Sequence, residues 1–402
     1  MEIQDDLRSP EAIADPHPFF HRLRAHDPVH WSERSRGWIL TSHAEVVDAL
    51  RDHQRLSSDR LSPIESRLPV EQRSAMAETF KLLRGWMVFR DPPVHMLLRG
   101  PLRNVFTPRA TERLVPRIQA IVDDLLEDLA GRDRFDLVRE FAFPLPAIVI
   151  AELLGVPPQD RESFKTWARK LGVLVFGALD QGERHALAAE GAREFSDYFK
   201  GLIRRYERDP GQNLISQLIE ARDSGQALSP DQLVGACTLL LFGGHETTTG
   251  LIANGMAVLL ENPSELDRLR TEPGLAASAV EELLRCEGPA KVMVRHVSEA
   301  HERGGHKLEQ GDRVFVALAA ADRDPSVFRN PDRVDITRDP NPHVGFGHSL
   351  HFCLGANLAR REARVALTSL LSRFPRLRLA EPPRWGGSLI GRGVDGVQLA
   401  TD

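Results

Sequence analysis

The sequence predicts a mainly α-helical fold with small β-sheets, and three observations carry that prediction. Apolar residues recur at helical spacing through most of the 402 residues. One run, from Ser229 to Pro263, has no proline after Pro230 and is long enough for a helix of about 30 residues, or roughly 45 Å. Extended patterns are few and short, and they fall near the start and late in the chain.

Taken in order, residues 1–15 are polar and read as a flexible N-terminus. PVHWSE and GWILTS then flank a turn and read as a hairpin. Ile118, Ile121, Val122, Leu125 and Leu129 share a helix face, with Gly131 as the closing residue. Ser229, Pro230 and Gln232 form a capping-box start for the long helix. VMVRHV, RVFVALA and VQLA are later strands. Between Asp322 and Val344 the chain is rich in Pro, Asp and Arg and has no period. An irregular stretch that long is usually functional. With no repeat, low-complexity tract or Gly/Ser linker, residues 1–402 read as one large domain.

Composition narrows the function classes. A hydrophobic content of 42% supports a sizeable core, and a net charge of −5 argues against a nucleic-acid footprint. The start MEIQDDLRSP is no signal peptide, and no run of about 18 apolar residues occurs. A cytoplasmic protein without a membrane anchor is expected. Three cysteines, Cys237, Cys286 and Cys353, make neither a disulfide framework nor a four-cysteine zinc site.

The sharpest signal is FGHSLHFCLGANLARREARVAL. Phe346, Gly347 and His351 lead to Cys353, and Gly355 opens an amphipathic helix. Unpaired N–H groups at a helix start favour a thiolate, so Cys353 suits an anionic metal ligand. A buried inert thiol, or a nucleophile with His351 as its base, are the alternatives. In the long helix, LLLFGGHETTTG places Gly243 and Gly244 where each costs about 1 kcal/mol in a helix interior. Glu246, Thr247 and Thr248 then interrupt the apolar run, and a threonine bonding back one turn would bend the helix there. Close helix packing is the plainer reading. Glu282 and Arg285 share a face at i, i+3, and His95 and Arg99 do so at i, i+4.

Set in this order along the chain, the segments resemble the cytochrome P-450 superfamily of bacterial heme-thiolate monooxygenases. Phe346, Cys353 and Gly355 match the heme-binding signature, in which Ser349 stands where the family has glycine. That change matters if the position needs positive φ. The resemblance implies heme b with Cys353 as iron ligand, Phe346 packed on the ligand side, and His351, His95, Arg99 and Arg295 on the propionates. It makes Gly243, Gly244, Glu246 and Thr247 the dioxygen groove, with Glu246 and Thr247 relaying protons. Glu282 and Arg285 would join Arg333 of NPDRVD in a structural triad. Leu239, Phe242, Gly243, Val292, Met293, Leu389 and Ile390 would line the substrate pocket, with Phe242 narrowing it. Lys291 would face solvent or an anionic substrate group.

The implied reaction inserts one oxygen atom from O2 into a small, largely apolar molecule, by hydroxylation or epoxidation, in secondary metabolism or catabolism. Electrons are expected from a separate ferredoxin or flavodoxin with its reductase, docking on arginines that include Arg103, Arg109, Arg360, Arg361 and Arg364. A monomer is expected. A heme-thiolate sensor or scaffold without oxygenase activity, and a cysteine hydrolase, are the competing classes.

Overall fold

The Ser229 cap forms as the sequence indicates. Ser229 Oγ accepts from the Gln232 N–H at 3.2 Å, and Gln232 Oε1 accepts from the Ser229 N–H at 2.8 Å. The helix it starts, Pro230–Glu261, runs 32 residues without interruption. Within it, His245 Nδ1 donates to the Leu241 carbonyl, one turn earlier, at 2.5 Å. The computed structural model describes residues 3–175, 182–223, 228–388 and 390–401.

The chain divides into two compact units. The first comprises Met1–Leu56, Thr111–Pro146 and Glu246–Asp402. It contains a mixed sheet that includes, in order, Val29–Ser32, Gly37–Leu40, Arg313–Val316 and Met293–Val297. The first pair is antiparallel, with Trp31 opposite Trp38, and the second is parallel, with Ile39 opposite Phe315. Side chains alternate between faces along each strand. Trp38, Leu40, Val314 and Val316 therefore pack with Val46 and Leu50 on one side. Ile39 and Phe315 pack with Phe19, Phe20 and Leu23 on the other. The second unit, Ser57–Ala110 and Ala147–His245, is helical. There Arg161–Val175 packs on Gly182–Arg208 through Phe164, Trp167, Phe195, Tyr198 and Phe199. The Phe164 and Tyr198 rings meet edge-on at 5.1 Å.

Within the N-terminal stretch expected to be flexible, residues 9–15 are docked. Ser9 caps a short helix, Pro10–Ala14, and Ala12 is fully buried. Arg392 holds this helix by its exit, donating from Nε to the Ile13 carbonyl at 2.8 Å and from Nη2 to the Ala14 carbonyl at 2.6 Å. Those are carbonyls that a helix end leaves without an intrahelical partner.

Arg392 also belongs to a buried charge network that corrects the reading of Lys291. Lys291 is 1% exposed and faces neither solvent nor a ligand. Its Nζ lies 2.6 Å from Glu287 Oε2, which Arg392 Nη1 approaches at 2.8 Å, while His17 Nε2 sits 2.6 Å from Glu287 Oε1. Burial alone would raise the Glu287 pKa, but Lys291, His17 and Arg392 together hold it well below the usual range. Burial pulls His17 down to about 4, so it is neutral at pH 7.

The irregular stretch after Asp322 is ordered by Glu282 and Arg285, both essentially inaccessible. Arg285 grips Glu282 with Nε to Oε2 at 2.7 Å and Nη2 to Oε1 at 2.8 Å. It also donates to the carbonyls of Asp322, Pro331 and Arg333 at 2.9, 2.6 and 3.0 Å. Glu282 accepts from the Asp335 N–H, from Asn341 Nδ2 and from Arg338 Nε. Arg333 thus contributes its backbone, and its side chain is exposed. The third member of the triad is Arg338, whose Nη1 also donates to the Arg329 carbonyl.

Two stability comparisons follow from these networks. Glu287→Gln strands buried cations and should cost about 3–5 kcal/mol, whereas Lys291→Met leaves Glu287 its other partners and should cost about 1 kcal/mol or less. Urea midpoints of the two variants check the asymmetry, and equal losses would contradict it. Arg338→Ala should lower stability by about 2–3 kcal/mol and Arg333→Ala by under about 0.5 kcal/mol, measured in the same way.

Candidate active site around Cys353

Of the three cysteines, two are chemically quiet. Burial pushes the Cys237 thiol up to about 12 and that of Cys286 up to about 11. Cys353 is only half-buried. It follows a single helical turn, Ser349–His351, and stands just before the helix Ala356–Arg373, whose cap is Gly355. Its N–H donates to the Phe346 carbonyl at 2.9 Å, which closes the loop on itself. The loop needs two left-handed residues, Gly347 at φ 73° and Ser349 at φ 57°. Ser349 therefore keeps the conformation that glycine adopts without strain, and the substitution leaves the loop closed.

Neighbouring side chains brace this loop. Arg360 lies over the Phe346 ring at 4.5 Å and makes two 2.7 Å bonds to Glu281. His343 Nε2 reaches the same carboxylate at 3.0 Å. Burial would raise the Glu281 pKa, but Arg360 and His343 bring it down to about 2. Arg51 Nε donates to His348 Nε2 at 3.0 Å. Arg360 is thus committed to the loop, and Arg361 is paired with Glu112 at 2.6 Å, so neither presents the isolated surface cation that a docking patch needs.

On the long helix the glycine pair splits. A side chain at Gly244 would meet Ile150 Cγ1 at 2.9 Å, so that glycine serves close packing. One at Gly243 would meet only Leu239 Cδ1, at 3.9 Å. Gly243 and Thr247 are one turn apart and share a face. Thr247 is exposed and Glu246 is half-buried. Gly355 likewise has nothing within 4 Å where a Cβ would project. A half-buried sulfur at a helix head, with open space at Gly355, fits a prosthetic group held by one thiolate.

The remaining predicted residues divide. His95 is fully buried and Arg99 half-buried, one turn apart on Val94–Arg103. Arg295 is 6% exposed on its strand, and its Nη1 donates to the Val294 carbonyl. His351 is half-buried. Leu239 and Phe242 are buried, and Phe242 packs on Trp86 at 5.0 Å between ring centroids. Val292 is core, clustered with Phe19, Phe20 and Leu23, which removes it from the pocket. Its neighbour Met293 points the other way, with Sδ 4.0 Å from where a Gly347 Cβ would lie. Ile390 is half-buried, and Leu389 lies outside the described residues. Sequence reasoning missed Arg338, Arg392 and the Glu281–His343–Arg360 brace. The i, i+4 spacing of Glu287 and Lys291 was a signal, obscured by Gly288 ending the helix between them.

Comparison with known proteins agrees with this geometry. The family model described as Cytochrome P450 matches residues 182–381. Cytochrome P450 107B1 of Saccharopolyspora erythraea is 41% identical over 406 residues, covering 98% of this chain and 97% of the relative. P450BioI, solved with a hexadec-9Z-enoic acid ligated acyl carrier protein, superposes with a TM-score of 0.90 at 36% identity, covering 98% of this chain and 100% of that one. Myxobacterial CYP267B1, solved with myristic acid, gives 0.90 at 39% identity, with 98% of each chain covered. The chain belongs to the cytochrome P450 family of heme b-dependent monooxygenases.

Proposed function

We propose that this enzyme oxygenates a largely apolar molecule built around a long acyl or similar hydrocarbon segment. Cys353 would be the iron ligand and a separate ferredoxin or flavodoxin, with its reductase, the electron source. The observation that carries the site assignment is the Cys353 loop: its sulfur is half-buried at a helix head, while the other two thiols are sealed in the core. The chain lengths seen on P450BioI and in CYP267B1 support the substrate class. A monomer in the cytoplasm accords with this reading. Among the described residues no helix is long and apolar enough to cross a membrane.

When bound, the heme supplies the activation of O2 and the transfer of one oxygen atom to a C–H or C=C bond, the other leaving as water. This chain's residues set the conditions. The first-turn N–H groups of Ala356–Arg373 favour the Cys353 thiolate over the thiol. Phe346, pinned under Arg360, would pack on the ligand side of the group. His95, Arg99, Arg295 and His351 would offer it cationic or N–H donors. Gly243 leaves room for O2 beside the helix. The Thr247 hydroxyl and Glu246 carboxyl hold and pass protons, which a pure binding scaffold does not need. Leu239, Gly243, Met293 and Ile390 are proposed to face the substrate, with Phe242 setting the width through its packing on Trp86.

Carbon monoxide added to dithionite-reduced protein should give a strongly red-shifted Soret band that Cys353→Ser abolishes. The same band in both proteins would overturn the ligand assignment. Ser349→Gly should leave that band in place and raise stability by about 1 kcal/mol, because a left-handed non-glycine residue carries roughly that strain. A thermal melt checks it, and a loss of stability would mean that the serine side chain supports the loop.

A further inference from the structure

Trp86 is 1% exposed, and its indole Nε1 has no hydrogen-bond partner among the described residues. A buried N–H left unsatisfied is costly, and each such group calls for a specific explanation. Loose packing is not the explanation here. The ring stacks on Phe89 with an interplanar angle of 6° and centroids 5.9 Å apart, and it leans on Phe242 at 5.0 Å. The Arg60 guanidinium lies over the Phe89 ring at 4.8 Å.

The backbone is fixed as firmly as the ring. Gly85 and Gly235 cross so closely that a Cβ on Gly235 would lie 2.7 Å from the Gly85 Cα. This anchors the Trp86 segment directly to the long helix, two turns before Phe242 and the open Gly243. Both neighbouring rings lack any polar group, so neither offers the N–H an acceptor oxygen. A rigid donor with two aromatic neighbours, one of them Phe242, which precedes the open Gly243, has the character of a recognition group.

We propose that the Trp86 indole N–H is a substrate-binding donor that selects apolar molecules carrying an oxygen acceptor, a carbonyl, carboxylate or hydroxyl, away from the carbon to be oxidised. The inference rests on the monooxygenase reading above and names the polar end of its substrate. A hydrocarbon lacking that oxygen leaves the N–H unsatisfied in the complex and binds more weakly. Discrimination of this kind is strong because the unpaired group belongs to the protein and cannot be re-solvated.

The test uses heme-loaded protein with isotope-labelled tryptophan in the reduced, carbon monoxide-ligated form. The Trp86 indole N–H resonance is assigned by its loss in Trp86→Phe, which keeps an aromatic ring in the stack. Myristic acid, its methyl ester, cyclopentadecanone and tetradecane are titrated in turn. At least one oxygenated ligand should move the resonance downfield and tetradecane should not. Trp86→Phe should weaken that oxygenated ligand about tenfold, the equivalent of one hydrogen bond, and change tetradecane by less than about twofold. An indole resonance that no oxygenated ligand moves, or equal weakening of hydrocarbon and oxygenated ligands, overturns the inference. The carbon monoxide band of the same samples reports separately on the Cys353 site, so an intact band with an unmoved indole sinks this inference alone.

Discussion

The Glu282–Arg285 pair is the constraint on which the Cys353 loop and the irregular chain before it depend. Two full charges without solvent would be a liability unless every lone pair and N–H were matched. Here they are matched by backbone. Arg285 takes carbonyls from Asp322, Pro331 and Arg333, and Glu282 takes the Asp335 N–H and two side-chain donors. Residues 322–344 can therefore be ordered without helix or strand, because the pair does for them what a ladder does for a sheet. The order passes onward. Asp322 Oδ1 accepts from the Val344 N–H at 2.7 Å, and the Val344 carbonyl accepts from Gly347, the first left-handed residue of the Cys353 loop. Glu281, next in sequence to Glu282, fixes the far side through Arg360 and His343.

What was legible in the sequence follows the range of the forces involved. The Ser229 capping box, the short strands and the helix after Gly355 rest on contacts within a few residues, and they stand where the pattern put them. The cysteine loop was legible because its residue types are tied to one backbone shape, and Ser349 shows that shape surviving an unfavourable residue. Arg333 and Arg338 could not be told apart, since in an irregular segment no period says where a side chain points. Val292 and Met293 were grouped as pocket because they are adjacent and apolar, yet Val292, just before the strand, and Met293, its first residue, pack into different core clusters. The N-terminal segment looked flexible because its anchor, Arg392, lies more than 370 residues away in sequence.

The two buried charge networks differ in what holds them. Glu282 is surrounded by more donors than one arginine supplies, so it tolerates burial through geometry. Glu287 is compensated by charge, with Lys291 and Arg392 on one oxygen and a neutral His17 on the other. The second arrangement carries an excess of cations, and for that reason its carboxylate is the member that cannot be spared. It also explains why a lysine can occupy a position 1% exposed and still read, from sequence alone, as a surface or ligand-facing residue.

The same sorting of environments distinguishes the three sulfurs. Cys237 and Cys286 are enclosed by apolar or charge-compensated surroundings that penalise the thiolate, and the Arg285 Nη2 only 3.2 Å from the Cys286 sulfur does not outweigh burial. Cys353 stands in the opposite setting: partial exposure, a helix start with aligned N–H groups beside it, and a loop closed on itself. Rigidity is the costly element, since it requires left-handed backbone at two positions three residues apart or fewer. The loop meets that cost with Gly347 and a strained Ser349, and with bracing from Arg360, His343 and Arg51 outside it. The Cys353 sulfur is thus partly exposed in a loop held by its neighbours, whereas the other two are buried.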